Sequence, residues 1–321
     1  MRTRPDGFEE GTLAGALRRY WGLPVSGVRY APVGFGDYHW EANGEGARWF
    51  VTLTDLLPRP DEGFATLRAA METAAALAGD AGLDFVVAPL PTRDGRRVLR
   101  LGERYALAVF PFVEGEAGTF GDPFPPAERA EVLRLLDALH GSTAAVGGVP
   151  VWTPALPGRP AFEAALEELE RPWPGGGPYA EPARALLARH GAGALREVLA
   201  AYDALVAEVA ARGHAPVVTH GEPHPGNVLR APGGGLLLVD WDTVGLAPRE
   251  RDLWHLGEEA AAEAGADPAA LRMCRLRWDL DDVLIYLGVF RAPHARTPDT
   301  DLAWQGFTTG LDTLVADLTG G

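Results

Sequence analysis

Apolar positions recur at helical spacing over residues 8–20, where Leu13, Leu17 and Tyr20 fall on one face. Short runs of strand character follow. Residues 28–33 and 38–42 flank a turn at Gly34-Phe35-Gly36, and Asn43-Gly44-Glu45-Gly46 reads as a hairpin turn into a strand over 48–53. Residues 62–79, rich in Ala and Met, predict a helix, and strands are expected over 85–90, 97–101 and 105–110. A sheet flanked by helices in this order predicts an α+β N-terminal lobe. After residues 111–116 the pattern turns helical, over about 126–141, 160–170, 181–190 and 194–212, with Pro/Gly clusters at 148–159 and 172–178. Two short strands and a Pro/Gly-rich loop interrupt at 216–240, and helices resume over 251–265, 268–290 and 300–318. The expected organisation is an N-terminal lobe over 1–110, a hinge at 111–115 and a mainly helical lobe over 116–321.

Composition narrows this picture. The 321 residues suffice for two lobes with a substantial core. The net charge of −15 argues against nucleic acid as a partner and tolerates cationic ligands, though it also serves solubility alone. A single cysteine, Cys274, excludes an intrachain disulfide and a cysteine-based zinc site. The start lacks an apolar signal core, and no apolar run approaches the roughly 18 residues of a membrane span. A cytoplasmic protein with no membrane partner is expected. All 29 basic residues are arginine; the chain has no lysine.

The chemistry concentrates in His220-Gly-Glu-Pro-His-Pro-Gly-Asn227, followed by the apolar run Leu236–Val239 and then Asp240-Trp241-Asp242. A carboxylate lies two residues after a histidine, an asparagine five after the carboxylate, and a second carboxylate closes an apolar strand. Phosphoryl transfer from a nucleotide uses those parts in that order: a carboxylate for the acceptor's hydroxyl proton, then an amide oxygen and a carboxylate for magnesium. A zinc hydrolase is the rival reading of His220 and His224, four apart. The glycines and prolines between and around them forbid a regular helix, and Glu222 has the wrong offset for that motif.

These residues resemble the aminoglycoside phosphotransferase and choline-kinase-like family. There a His-Gly-Asp-x-His-x-x-Asn loop precedes an Ile-Asp-(Trp or Phe)-(Asp or Glu) strand. The stretch Val239–Leu253 is particularly similar to the spectinomycin-phosphotransferase branch. The resemblance implies a two-lobed, protein-kinase-like fold, with a small antiparallel sheet and a mainly helical second lobe. It implies Glu222 as the catalytic carboxylate, His220 as a brace of the catalytic loop, and Asn227 and Asp240 as magnesium ligands. Asp242 either touches a second metal or stands behind the ligands. Asp252 resembles a residue that buttresses the loop, and also suits an ordinary helix start. Gly34 and Gly36 would lie over the nucleotide phosphates, and Val113 at the hinge would meet the base of ATP or GTP.

Two departures from the family pattern stand out. Glu222 replaces an aspartate, which keeps the carboxylate and lengthens its reach. Thr52 occupies the place of the small-lobe lysine, so Glu72, matching that lysine's partner, would lack it; Arg48 reaches either the phosphates or solvent. In the C-terminal helices Asp279, Asp282 and Tyr286 form a stripe by three- and four-residue spacing. By resemblance it would engage a cationic acceptor, and it equally fits an acidic face turned to solvent. The expected activity is transfer of a γ-phosphate to a hydroxyl of a small molecule such as an aminocyclitol, aminoglycoside or other natural product, including antibiotic acceptors. The missing lysine supports an alternative, a kinase-like binding module without catalysis.

Overall fold

A computed structural model describes residues 1–173 and 175–319. By Cα proximity the chain divides into two compact units, one made of Met1–Trp152 with Pro216–Gly265, the other of Thr153–Ala215 with the chain from Ala266 onward.

The first unit opens with α1 (Glu10–Ala16), which widens into a π-helical turn over Leu17–Trp21 and buries Leu13, Leu17 and Trp21. Five antiparallel strands follow: β1 (Val25–Ala31), β2 (Tyr38–Gly44), β3 (Ala47–Asp55), β4 (Val98–Leu101) and β5 (Tyr105–Pro111). They lie in the order β1-β2-β3-β5-β4. Alternation decides the two faces. Trp40 and Val51, paired across β2 and β3, join Trp49, Leu53, Leu107 and Val109 in a core sealed by Leu13, Leu17 and Trp21. The opposite face carries His39, Phe50, Thr52, Thr54, Ala106 and Ala108 in the same registers. Helix α2 (Pro60–Gly79) runs against β4 and buries Leu67, Ala70, Met71, Ala74 and Leu77.

Residues 85–90, expected as a strand, form none. Val86 makes an isolated bridge to Leu238, whose amide donates to the Phe85 carbonyl at 2.7 Å and whose carbonyl accepts the Val87 amide at 3.0 Å. Pro89 and Pro91 remove the donors that a continued ladder needs. The segment instead ties the sheet to the loop region, because Leu90 donates to Val109.

Beyond β5 the unit adds β6 (Glu116–Ala117), α3 (Pro126–Gly141), β7 (Val217–Thr219), β8 (Val228–Arg230), β9 (Leu236–Leu238) and β10 (Gly245–Ala247). Strands β6-β8-β9 make one small sheet and β10-β7 a second. The expected helix over 251–265 is divided into α7 (Glu250–Leu253), a 3-10 turn and α8 (Glu258–Glu263), interrupted by Gly257.

The second unit is helical: α4 (Arg159–Glu167), α5 (Ala180–His190), α6 (Ala192–Arg212), α9 (Pro268–Arg291) and α10 (Pro298–Thr319). Helix α9 packs on α6 and α10 and buries Leu276, Leu280, Val283, Leu287 and Phe290. Asp267 caps it, accepting from the Ala269 amide at 2.9 Å while pairing with Arg212. No helix among the described residues is long and apolar enough to cross a membrane.

Candidate active site

The loop between β7 and β8 is held from beneath by a buried carboxylate. Asp252 accepts the His220 amide at 3.0 Å, the Gly221 amide at 2.7 Å and His140 Nε2 at 2.9 Å. Burial alone would raise its pKa; these bonds and the nearby imidazoles of His140 and His220 hold it below the usual carboxylate range. Gly221 adopts φ 100°, and a Cβ there would lie 2.2 Å from the Arg251 guanidinium. That guanidinium fills the space under the loop, donating to Thr219 Oγ1 at 2.9 Å and to the Thr243 carbonyl at 2.9 Å.

His220 joins this loop to the strand that follows. Its Nε2 donates to the Val239 carbonyl at 2.9 Å and its Nδ1 accepts the Glu222 amide at 3.2 Å. Both ring nitrogens are thus engaged by backbone, and burial pushes the imidazole pKa down to about 4. The geometry makes His220 a neutral brace. His224 braces locally, accepting the Gly226 amide at 3.1 Å.

Glu222 is half-buried at the loop's crest. Its carbonyl accepts Asn227 Nδ2 at 3.0 Å, so the Asn227 amide is anchored by its nitrogen and its oxygen is left for another partner. Asp240 has φ 67° and is the one non-glycine among the described residues with positive φ. Aspartate tolerates that conformation better than most residues, yet it still costs about 1 kcal/mol. Burial within the surrounding protein, then the charges of Asp242, Glu222 and Asp37, push the Asp240 carboxyl well above its usual range. A cation held between these carboxylates would relieve their mutual repulsion.

The donor set suits magnesium. One amide oxygen and one or two carboxylates are what Mg²⁺ takes from a protein when substrate phosphates supply the rest. Among the described residues no three His, Cys, Asp or Glu side chains form a ready-made cage.

The N-terminal sheet turns its second face to the same region. Gly34 and Gly36, at φ 70° and 100°, form the exposed turn between β1 and β2. Asp37 follows, accepting Thr54 Oγ1 at 2.7 Å. Thr54 and Asp242 line a common cavity of about 320 Å³ with Asp55, Leu56 and Arg59. Asp37 itself lies close enough to Asp242 that burial and that charge raise its pKa to about 7. Thr52 is half-buried against His39, whose Nδ1 lies 3.2 Å from Oγ1. Glu72 is exposed on α2. Arg48 is drawn to the crossover, paired with Glu114 and with its guanidinium 3.9 Å from the Phe112 ring centroid. Val113, half-buried at that crossover, makes no backbone hydrogen bond with the described residues.

Asp279, Asp282 and Tyr286 share a face of α9 in the second unit. Burial raises the Asp279 carboxyl to about 6, and burial with the Asp279 charge raises Asp282 to about 7. Asp279 Oδ2 is buried without a hydrogen bond, 4.0 Å from Arg275. The sequence by itself assigns no individual role to Asp37, His39, His140 or Arg251. Period-two alternation would have placed Asp37 and His39 on the face of Thr52; nothing local marks His140 or Arg251.

The phosphotransferase enzyme family known as APH matches residues 28–281. Protein StrN of Streptomyces griseus is 34% identical over 248 residues, 73% of this chain and 74% of StrN. Among solved structures, spectinomycin phosphotransferase APH(9)-Ia, in complex with ADP and spectinomycin, superposes with a TM-score of 0.71 at 15% identity, covering 97% of this chain and 99% of that one. Choline kinase LicA from Streptococcus pneumoniae gives 0.55 at 15% identity, over 95% and 99% of the two chains. These likenesses bear out the two-lobed, kinase-like fold. The chain belongs to the APH family of phosphotransferases.

Proposed function

We propose that this chain moves the γ-phosphoryl group of ATP or GTP to a hydroxyl of a small, hydroxylated, cationic molecule of the aminocyclitol or aminoglycoside class. The observation that carries this reading is the anchored constellation of Glu222, Asn227 and Asp240, held by Asp252 and His220 within the unit that also contains the glycine turn and the crossover.

Each residue then has a task. Val113 offers unpaired backbone groups to the base. Glu222 takes the acceptor hydroxyl's proton as its oxygen bonds to the γ-phosphorus and the bond to the β,γ-bridging oxygen breaks, releasing the nucleoside diphosphate. Asn227 and Asp240, with Asp242 beside them, would hold Mg²⁺, which neutralises charge on the transferring phosphoryl group when bound. Asp252, Arg251 and His220 fix the loop so that Glu222 need not be ordered during the reaction. Asp279, Asp282 and Tyr286 supply a half-buried acidic stripe suited to an ammonium on the acceptor.

A second reading, a binding module that keeps the fold without catalysis, rests on Thr52 and on the absence of lysine. The experiment that separates them gives the purified protein ATP or GTP with magnesium and a panel of hydroxylated cationic metabolites, and looks for an acceptor heavier by one phosphate. The transferase reading predicts such a product; nucleotide binding with no product across the panel supports the module.

A further inference from the structure

The site face of the N-terminal sheet has a direction. At the crossover end stand Phe50 and Phe110, paired across β3 and β5. Next come His39, Thr52 and Ala108, in register across β2, β3 and β5. Last come Asp37 and Thr54, hydrogen-bonded to each other, with Thr54 lining the same cavity as Asp242. A nucleotide laid with its base at the crossover and its terminal phosphate at the metal ligands passes its phosphates over the middle level.

That level contains one side chain with a spare polar atom. His39 is only 8% exposed. Its ring stacks on Phe50, centroids 5.1 Å apart, and its Nδ1 faces the Thr52 hydroxyl at 3.2 Å. Its Nε2 has no hydrogen-bond partner among the described residues and points beneath the glycine turn, 3.4 Å from where a Gly34 Cβ would lie. Although the ring is buried, Nε2 is not sealed from solvent, so it can give its hydrogen bond to water or to a ligand that displaces that water. Packing and the Nδ1 contact fix the ring, which leaves Nε2 as the atom that a ligand under the glycine turn can reach.

We propose that His39 is the residue through which the N-terminal sheet meets the nucleotide's phosphates, donating from Nε2 at the level where the family resemblance places a lysine. The proposal rests on the phosphotransferase reading above. Thr52 then has a use of its own: its hydroxyl donates to Nδ1, which puts the ring proton on Nε2 and aims it at the glycine turn. Burial keeps this imidazole neutral, its pKa pushed down to about 3, so it acts as a hydrogen-bond donor without an ammonium's charge.

The test compares calorimetric affinities of adenosine, ADP and a non-hydrolysable ATP analogue, each with magnesium, for wild type, His39→Ala, His39→Gln and the double variant His39→Ala with Thr52→Lys. A hydrogen bond to a charged group predicts that His39→Ala weakens the phosphorylated ligands roughly ten- to hundredfold and leaves adenosine unchanged. His39→Gln, whose amide nitrogen reaches the place of Nε2, keeps most of the preference for phosphates, and the added lysine restores it. Imidazole ¹⁵N spectra of the wild type provide a check independent of variant folding: an Nε2–H tautomer for His39, shifted by ADP and not by adenosine. The proposal is overturned if His39→Ala retains the full preference for phosphates, if it loses adenosine and ADP equally, or if the ring carries its proton on Nδ1. A wild type that binds no nucleotide removes the phosphotransferase reading and the role of His39 together; a preference for phosphates that survives without His39 removes only the latter.

Discussion

The loop over His220–Asn227 and the N-terminal sheet face belong to one compact unit and differ in how their polar groups are arranged. Around the loop, the bracing groups are tied down: Asp252 takes two amides and a histidine, both nitrogens of His220 meet backbone, and Asn227 is held by its amide nitrogen. On the sheet face, Thr52 and His39 satisfy each other only in part and the lysine is missing. The loop is organised by the protein's own hydrogen bonds, whereas on the sheet face His39 Nε2 meets no protein partner among the described residues. In the proposed reaction the transfer machinery is retained and the grip on the donor is rebuilt.

The largest effect that would break this contrast is at Asp240. Replacing it with alanine is expected to abolish magnesium-dependent nucleotide binding without unfolding the chain, since the substitution also removes the repulsion among Asp240, Asp242, Glu222 and Asp37. Calorimetry showing unchanged Mg-nucleotide affinity removes Asp240 from the metal site. Asp252→Ala comes next. It strands two loop amides and His140 in a buried setting, a loss of about 3 kcal/mol, measurable by urea unfolding. A loss near zero would mean that the loop is not held from beneath. Gly221→Ala should cost about 2 kcal/mol, from a left-handed φ and the displaced Arg251 guanidinium. An alanine variant as stable as wild type contradicts the packing described for that loop.

Much of this contrast was legible in the chain itself. The offsets among His220, Glu222, Asn227 and Asp240 are short-range and survive without tertiary information, and the structure brings Glu222, Asn227 and Asp240 together. The helix at Pro126–Gly141 and the hairpin at 43–46 follow directly from local pattern. What could not be read depends on distance along the chain. His140 meets Asp252 across 112 residues, and Arg251 enters the space left by Gly221. Neither has a local signature. The strand expected at 85–90 failed because its apolar run outweighed the two prolines, although they decide whether a ladder can form.

A further effect distinguishes the two units by pH. His220, and His255 in the 3-10 turn after α7, whose Nε2 lies 3.2 Å from the Gly221 carbonyl, have pKa values pushed down by burial to about 4 and about 3, below an unfolded value near 6.5. The unfolded chain therefore binds more protons in that interval, and their contribution to stability is lost as pH falls below about 6.5. Asp282 has the opposite sign. Its pKa is raised to about 7, so the folded state binds the extra proton, and its contribution is lost as pH rises through about 7. Asp282→Asn should match wild type near pH 4 and exceed it near pH 8 in urea unfolding. The reverse order would mean that the α9 stripe is solvated and its carboxylates unperturbed.

The central claim is that this chain, without a lysine, remains a working phosphotransferase through Glu222. It is tested most directly by assaying wild type and Glu222→Gln side by side, with Mg-nucleotide affinity from calorimetry and phosphorylated acceptor from mass spectrometry. Equal nucleotide affinity is predicted, with turnover in the glutamine variant lower by roughly 10²–10⁴-fold, because the amide keeps the shape and cannot take the proton. A glutamine variant that phosphorylates acceptor at the wild-type rate would contradict the account.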